Sequence, residues 1–182
     1  MATRSERDGE TRLAIIVMGV SGSGKSSIGE GLAGALGLDF IDGDGLHSPE
    51  NVAKMAGGTP LVDEDRWPWL DKIGATLGDR AAHPEGAVVA CSALRKIYRD
   101  RIRAAAGQPI RFVFLDAPQS IVSERLGARK GHFMPPSLLV SQYATLERPA
   151  GDEPDVLSVA VDASIEEIVR KAAAELAGTT AA

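Results

Sequence analysis

Leu13-Ala14-Ile15-Ile16-Val17-Met18 runs without a break into Gly19-Val20-Ser21-Gly22-Ser23-Gly24-Lys25-Ser26, and this junction decides the fold. The first six residues are a continuous apolar, β-favouring run, the pattern of a strand buried on both faces. The next eight fit G-x-x-x-x-G-K-[ST]. After them Ile28, Leu32, Ala35 and Leu36 recur at helical spacing, and Gly37 supplies a stop. A strand before and a helix after is the context that gives the motif its meaning. Glycines let backbone N–H groups turn inward around phosphate oxygens, and the helix N-terminus adds the positive end of its dipole. From average residue usage the octet would arise by chance in a chain this long with a probability on the order of 1%, and the flanking elements lower that further. The loop is therefore read as a phosphate loop, with Lys25 reaching the β/γ-phosphates and Ser26 ligating Mg²⁺.

Outward from this junction, short apolar runs alternate with helical patterns. Asp39–Ile41, Ala87–Cys91, Ile110–Leu115 and Val156–Val161 read as further strands. Helices are expected around Val52–Met55 (opened by Ser48-Pro49), Asp65–Ala82 (with Pro68 as opener), Leu94–Ala106, Ser120–Lys130, Ser137–Glu147 and Ile165–Leu176. The last has Ser164 and Glu167 as a capping box. Five strands separated by helices imply an α/β architecture of three layers, a parallel five-stranded sheet flanked by helices. One domain over residues 12–177 is expected, with a flexible lead at 1–11 and a flexible tail at 178–182.

Composition narrows the function. The 182 residues include 20 Lys+Arg and 25 Asp+Glu, a net charge of −5, and only eight aromatics. That argues against a polyanion-binding or base-stacking surface, and no apolar run is long enough for a membrane span. One cysteine, Cys91, cannot form an internal disulfide and fits a reducing, cytoplasmic setting. The charge is segregated, however. Residues 39–79 hold three basic and nine acidic side chains, whereas 91–133 hold nine basic and three acidic. The basic block follows the third strand, where small anions would gather.

Within that frame three groups stand out. Asp42-Gly43-Asp44 ends the second strand, at the sheet edge where ligands collect in open parallel sheets. Paired carboxylates facing a phosphate loop can hold Mg²⁺ through water and accept a proton from a substrate hydroxyl. Arg95 and Arg99, four apart, are placed on one helix face near the substrate; guanidinium forks suit a carboxylate or phosphate. Arg125, Arg129, Lys130 and His132 precede Pro135-Pro136 and suggest a lid, about 128–137, able to neutralise a transferring phosphoryl group. Arg66 is neutral between a substrate group and a surface ion pair. Trp69 and Cys91 read as packing residues, His83 as a surface residue, and Asp116 in Asp116-Ala117-Pro118 as a helix-entry cap.

Taken together, MGVSGSGKSS, DGDGLHSPENVAKMAGGTPLVDEDRWPWL, CSALRKIYRDRIR, RLGARKGHFMPPSLLVSQYATLERP and DEPDVLSV closely resemble the bacterial-type gluconokinases, in the family's order from about Ile15 to Val161. The resemblance implies a P-loop kinase of the nucleoside-monophosphate-kinase-like fold with a mobile lid, acting as an ATP:D-gluconate 6-phosphotransferase. It implies ATP held by Gly19, Val20, Ser21, Gly22, Ser23, Gly24, Lys25, Ser26 and Ser27. Mg²⁺ would be served by Ser26 and Asp42, and the substrate hydroxyl by Asp44. His47, Arg66, Ser92, Arg95 and Arg99 would line the gluconate pocket, with Arg125, Arg129 and His132 on the lid side. Lys25, Asp44 and the lid arginines Arg125 and Arg129 would carry catalysis. A homodimer is implied as well, with gluconate and ATP as partners and no nucleic acid or membrane. Arg95 stands where some members have lysine, and the two lid prolines are absent from others.

Two rivals are weighed against this. A shikimate-type kinase of the same fold shares the loop and the paired aspartates, but does not account for C-S-A-L-R or R-K-G-H-F. A nucleotide-binding regulatory module leaves both the paired aspartates and the arginines unexplained. The loop Pro149–Pro154 is expected to pack by the adenine.

Overall fold

A computed structural model describes residues 12–128 and 136–178. The expected lead at 1–11, the centre of the lid with Arg129, Lys130 and His132, and residues 179–182 lie outside the described residues.

Five strands form one sheet: β1 (Leu13–Met18), β2 (Asp39–Asp42), β3 (Gly86–Ala90), β4 (Arg111–Asp116) and β5 (Val156–Ala160). Their order is β2-β3-β1-β4-β5, and every pair is parallel. β1 is central: Val17 sits opposite Ala90 on one side and Val113 on the other. Strand side chains alternate between faces. Ile15 and Val17 therefore join one core with Val88, Val113 and Leu115, while Ala14, Ile16 and Met18 join the other with Val89, Phe112 and Phe114. The first core is covered by α1 (Lys25–Leu36) and α7 (Ile165–Gly178), the second by α3 (Asp63–Gly78) and α4 (Lys96–Ala106). Helices on both faces explain why the inner strands β1 and β3, and β4 between its charged ends, are uninterrupted apolar runs, while the edge strands β2 and β5 are not. The remaining helices are α2 (Pro49–Ala56), α5 (Gln119–Ala128) and α6 (Pro136–Thr145).

Several expectations hold in detail. The Ser48 hydroxyl accepts from Asn51 N–H and caps α2. Ser164 and Glu167 form the capping box of α7, at 3.2 and 3.3 Å.

Others are corrected. Pro68 lies inside α3 rather than opening it; the helix starts at Asp63, and Asp65 accepts from Val62 N–H at 3.1 Å, so the acidic first turn meets the dipole. The same helix stops at Gly78, not Ala82, because the Asp79 carboxylate takes the N–H groups of Ala81 and Ala82 into a turn. α4 starts at Lys96, two residues late, because Ala93 is left-handed (φ +42°) and Arg95 is extended. On α1, Ala33 takes the buried place expected for Ala35. Asp116 caps no helix; it ends β4 and pairs with Arg148.

Candidate active site

The carboxyl ends of β1, β2 and β3 meet above the sheet. β1 delivers the glycine loop, whose Gly24 adopts φ +101°, a conformation that a side chain would strain, and serves as the N-cap of α1. No side chain caps that helix, so the first N–H groups of α1 are left for a ligand. They border a cavity of about 270 Å³ between Ser21, Gly22 and Gly24 to Ser27 on one wall and Asp42 and Asp44 on the other. Lys25 Nζ donates to the Val20 carbonyl at 3.0 Å, which folds the side chain along the loop. Burial lowers the ammonium's pKa, with Asp44, Cys91 and Asp42 pulling it back up. Ser26 and Ser27 are exposed, whereas Ser23 is buried and its hydroxyl has no protein partner.

The opposite wall is a tight 3₁₀ turn over Gly43–Leu46. The Asp42 carboxylate accepts from Asp44 N–H at 3.0 Å, which orients both acids at the turn's mouth. Gly43 must be glycine, since a Cβ there would collide with the Ala90 carbonyl. The Gly43 carbonyl accepts the indole N–H of Trp69 at 2.7 Å, and Trp69 stacks on His47 with ring centroids 4.1 Å apart. Asn51 Nδ2 donates to the Asp65 carbonyl at 2.8 Å and faces His47 Nδ1 at 3.3 Å, so His47 carries its proton on Nε2. Burial lowers the His47 pKa; Asp44 opposes that and Arg66 adds to it.

Beyond this turn the arginines gather on Asp63. Its carboxylate accepts from Tyr98 Oη at 2.6 Å and Arg95 Nη1 at 2.8 Å, and Arg66 Nη1 lies 3.7 Å away. Both guanidinium groups also lie over the Tyr98 ring, at 5.6 and 5.4 Å. The Tyr98 hydrogen bond and Arg95 hold the Asp63 carboxyl below its ordinary range. On the far side of the loop a second cavity of about 410 Å³ is lined by Arg125, Leu126, Ser164, Ile165 and Ile168.

Comparison with known proteins decides what this arrangement is. A family model described as an AAA domain matches residues 15–149. The gluconokinase of Gluconobacter oxydans (strain 621H) is 47% identical over 165 residues, spanning 88% of this chain and 92% of its own. The thermosensitive gluconokinase of Escherichia coli (strain K12) is 42% identical over 87% of this chain and 84% of its own. The crystal structure of a gluconokinase from Sinorhizobium meliloti 1021 superimposes with a TM-score of 0.83 at 51% identity, covering 93% of this chain and 94% of that one.

The chain belongs to the gluconokinase family.

In this gluconokinase the expected site residues divide. The structure brings together Ser21, Gly22, Gly24–Ser27, Asp42 and Asp44 around one cavity, and sets His47, Arg66 and Arg95 on the two clusters beside it. Gly19, Val20 and Ser23 belong to the loop but not to the cavity wall: Val20 packs into the core and Ser23 is buried. Ser92 contributes its carbonyl, which accepts Gly19 N–H at 3.3 Å. Arg99 does not line the pocket. It is 1% exposed, and its guanidinium is taken by Glu153 at 2.6 and 2.7 Å and by the carbonyls of Ala93 and Leu94. Its position on α4 turns it inward, because Arg95 is the N-cap and the exposed face lies elsewhere. Arg125 faces the second cavity, bonded to the Val161 carbonyl at 2.8 Å and the Ser23 carbonyl at 3.4 Å, rather than the phosphate cavity. The loop Pro149–Pro154 is not a wall of the second cavity; its Glu153 is buried against Arg99 and Arg103.

Sequence reasoning missed Asp63, Tyr98, Asn51 and Gln142. Asp63 and Asn51 stood inside the DGDGLHSPEN and DEDRWPWL segments, so a reading of those segments residue by residue could have raised them. Tyr98 and Gln142 likewise stood inside CSALRKIYRDRIR and RLGARKGHFMPPSLLVSQYATLERP, but their partners, Asp63 and Ser21, lie 35 and 121 positions away, so nothing adjacent pointed to the contacts.

Proposed function

We propose that this gluconokinase transfers the γ-phosphoryl group of ATP to the 6-hydroxyl of D-gluconate. The observation that carries the reading is the phosphate cavity itself, with the P-loop on one wall and Asp42 and Asp44 on the other. Beside it lie arginines suited to a carboxylate at the substrate's other end. The second cavity, continuous with the loop at Gly24 and Ser27 and largely apolar, suits the adenine, with Arg125 over it.

The donor set fits magnesium. Ser26, Asp42 and Asp44 border one cavity, and no cluster of three or more His, Cys, Asp or Glu is present among the described residues. Mg²⁺ keeps several waters and borrows substrate phosphates, so a hydroxyl and one or two carboxylates suffice. When bound it supplies Lewis-acid neutralisation of the phosphate oxygens. In the proposed mechanism Lys25 neutralises the β/γ-oxygens, and Asp44 accepts or orients the proton of the attacking hydroxyl. Arg66 and Arg95 hold the carboxylate so that attack is in line. Asp42 and Ser26 are assigned to the metal. His47, oriented by Trp69 and Asn51, offers Nε2–H to a sugar hydroxyl. Arg129 and His132 remain lid-side groups by family resemblance alone.

The reading also places the enzyme in the cytoplasm, supported by the single buried Cys91, and makes it a homodimer, as the family resemblance implies. No helix among the described residues is long and apolar enough to cross a membrane. The test is ADP release coupled to a reporter, with gluconate, shikimate or no acceptor. Release with gluconate alone is expected. Equal release without an acceptor, or a preference for shikimate, would sink the proposal.

A further inference from the structure

One short stretch of chain touches both halves of the site. On α6, Gln142 accepts the Ser21 N–H through Oε1 at 2.6 Å, and Ser21 borders the phosphate cavity. Five residues on, Glu147 N–H donates to the Leu94 carbonyl at 2.8 Å. The Glu147 carboxylate accepts from Lys96 N–H at 2.6 Å and lies 3.5 Å from Arg95 Nε. The link between these anchor points is stiff. Leu146 N–H still bonds to the Gln142 carbonyl at 2.9 Å, and Tyr143 Oη is pinned to the Ala117 carbonyl at 2.6 Å. Ser21 and Gln142 are 121 positions apart in sequence, and Lys96 and Glu147 are 51 apart, so neither contact is a by-product of local helix geometry.

We propose that Gln142 and Glu147 are positioning residues which fix the separation between the phosphate loop and Arg95, and so select the acceptor by the length of chain between its carboxylate and the hydroxyl that is phosphorylated. The inference rests on the gluconate reading above and adds a specificity device to it. A six-carbon aldonic acid and its five- or seven-carbon neighbours differ by about 1 Å of reach, and a misplacement of that size costs on the order of 10²-fold in rate. A spacer that gives by a fraction of that distance therefore blurs the selection without removing the phosphate site or the arginine.

The test is kcat/KM for five-, six- and seven-carbon aldonic acids with the wild type, Gln142→Met, Gln142→Glu and Glu147→Gln. Methionine keeps the length of glutamine but lacks the acceptor; glutamate keeps an acceptor for the Ser21 N–H. Wild type is expected to prefer the six-carbon acid, by roughly 10²-fold if reach decides. Gln142→Met should narrow that preference about fivefold, the loss of one hydrogen bond; Glu147→Gln, which keeps an acceptor for the Lys96 N–H but gives up the charge facing Arg95, should narrow it by less, both with melting temperatures close to wild type. Gln142→Glu should retain the preference. A merely structural role would lower all three acids together and leave the ratio unmoved, which overturns the proposal. So does a Gln142→Glu ratio as relaxed as that of Gln142→Met. If the wild type turns over no aldonic acid, the gluconate reading falls first and the spacer with it. Turnover of gluconate with unchanged ratios in the variants defeats the spacer alone.

Discussion

The indole Nε1 of Trp69 donates to the carbonyl of Gly43 at 2.7 Å, from 26 residues away, and so fixes the turn that carries Asp42 and Asp44. The same ring stacks on His47. One residue thus sets the phosphate cavity's acidic wall and the histidine beside it. Trp69→Phe keeps a ring for the stack but loses the donor. It should cost about 1–2 kcal/mol in urea unfolding. It should also lower kcat/KM by about tenfold, because the acids lose their fixed distance from the loop. Wild-type kcat/KM in this variant would show that the turn holds itself.

Asp44→Asn keeps the turn, since Asp44 contributes its backbone N–H to the Asp42 carboxylate. Removing a general base costs about 10²–10⁴-fold in rate. A fall of that size in kcat is expected, with ATP affinity by calorimetry close to wild type. The companion Asp42→Asn should weaken magnesium dependence instead, read as a raised magnesium requirement for half-maximal rate.

Lys25 sits in a region that disfavours its charge. A lysine whose folded pKa lies below its unfolded value costs stability while protonated, and the cost grows as pH falls through the unfolded value. Lys25→Met should therefore raise the nucleotide-free melting temperature at neutral pH. It should also abolish turnover by about 10²–10³-fold or more. A destabilised variant would contradict the strain assigned to the lysine.

The Arg99–Glu153 pair is 1% and 2% exposed. Removing one partner of such a pair leaves a buried charge and costs about 3 kcal/mol, here offset in part by Arg103. Arg99→Met should lose stability accordingly, and Arg99→Met with Glu153→Leu should regain much of it. Hydrogen bonds from Arg99, then from Arg103, hold the Glu153 carboxyl down at about 2 against an ordinary 4.5. A depressed carboxylate stabilises above its unfolded pKa, and that contribution disappears as pH falls from 4.5 toward 2. Glu153→Gln should flatten urea stability over that window. An unchanged slope would remove Glu153 as its source.

Much of this was legible beforehand because it is local. The phosphate loop is eight contiguous residues whose job is done by backbone N–H groups, so the motif is its own geometry. The Ser48 and Ser164 caps are likewise within three residues of their partners. Arg99 departs from its expected face for the opposite reason. A spacing of four puts it on the same helix face as Arg95 only if both belong to the helix, and the left-handed Ala93 delays the start of α4 so that Arg95 only caps it. Pro68 follows the same logic: a proline suits a helix start, but the three acids ahead of it already begin one.

By itself, the sequence determined the class of fold, the phosphate loop, the paired aspartates and the family, since each is written in adjacent residues or in the order of short segments along the chain. Tertiary structure alone decided that Arg99 belongs to Glu153, that Asp63 and Tyr98 organise Arg66 and Arg95, and that Trp69 and Gln142 brace the two walls of the site. The contacts of Trp69 with Gly43, Asp63 with Arg95 and Tyr98, Arg99 with Glu153 and Gln142 with Ser21 join residues 26 to 121 positions apart. Their pairing depends on which faces the sheet and helices bury against each other, and no local periodicity encodes it.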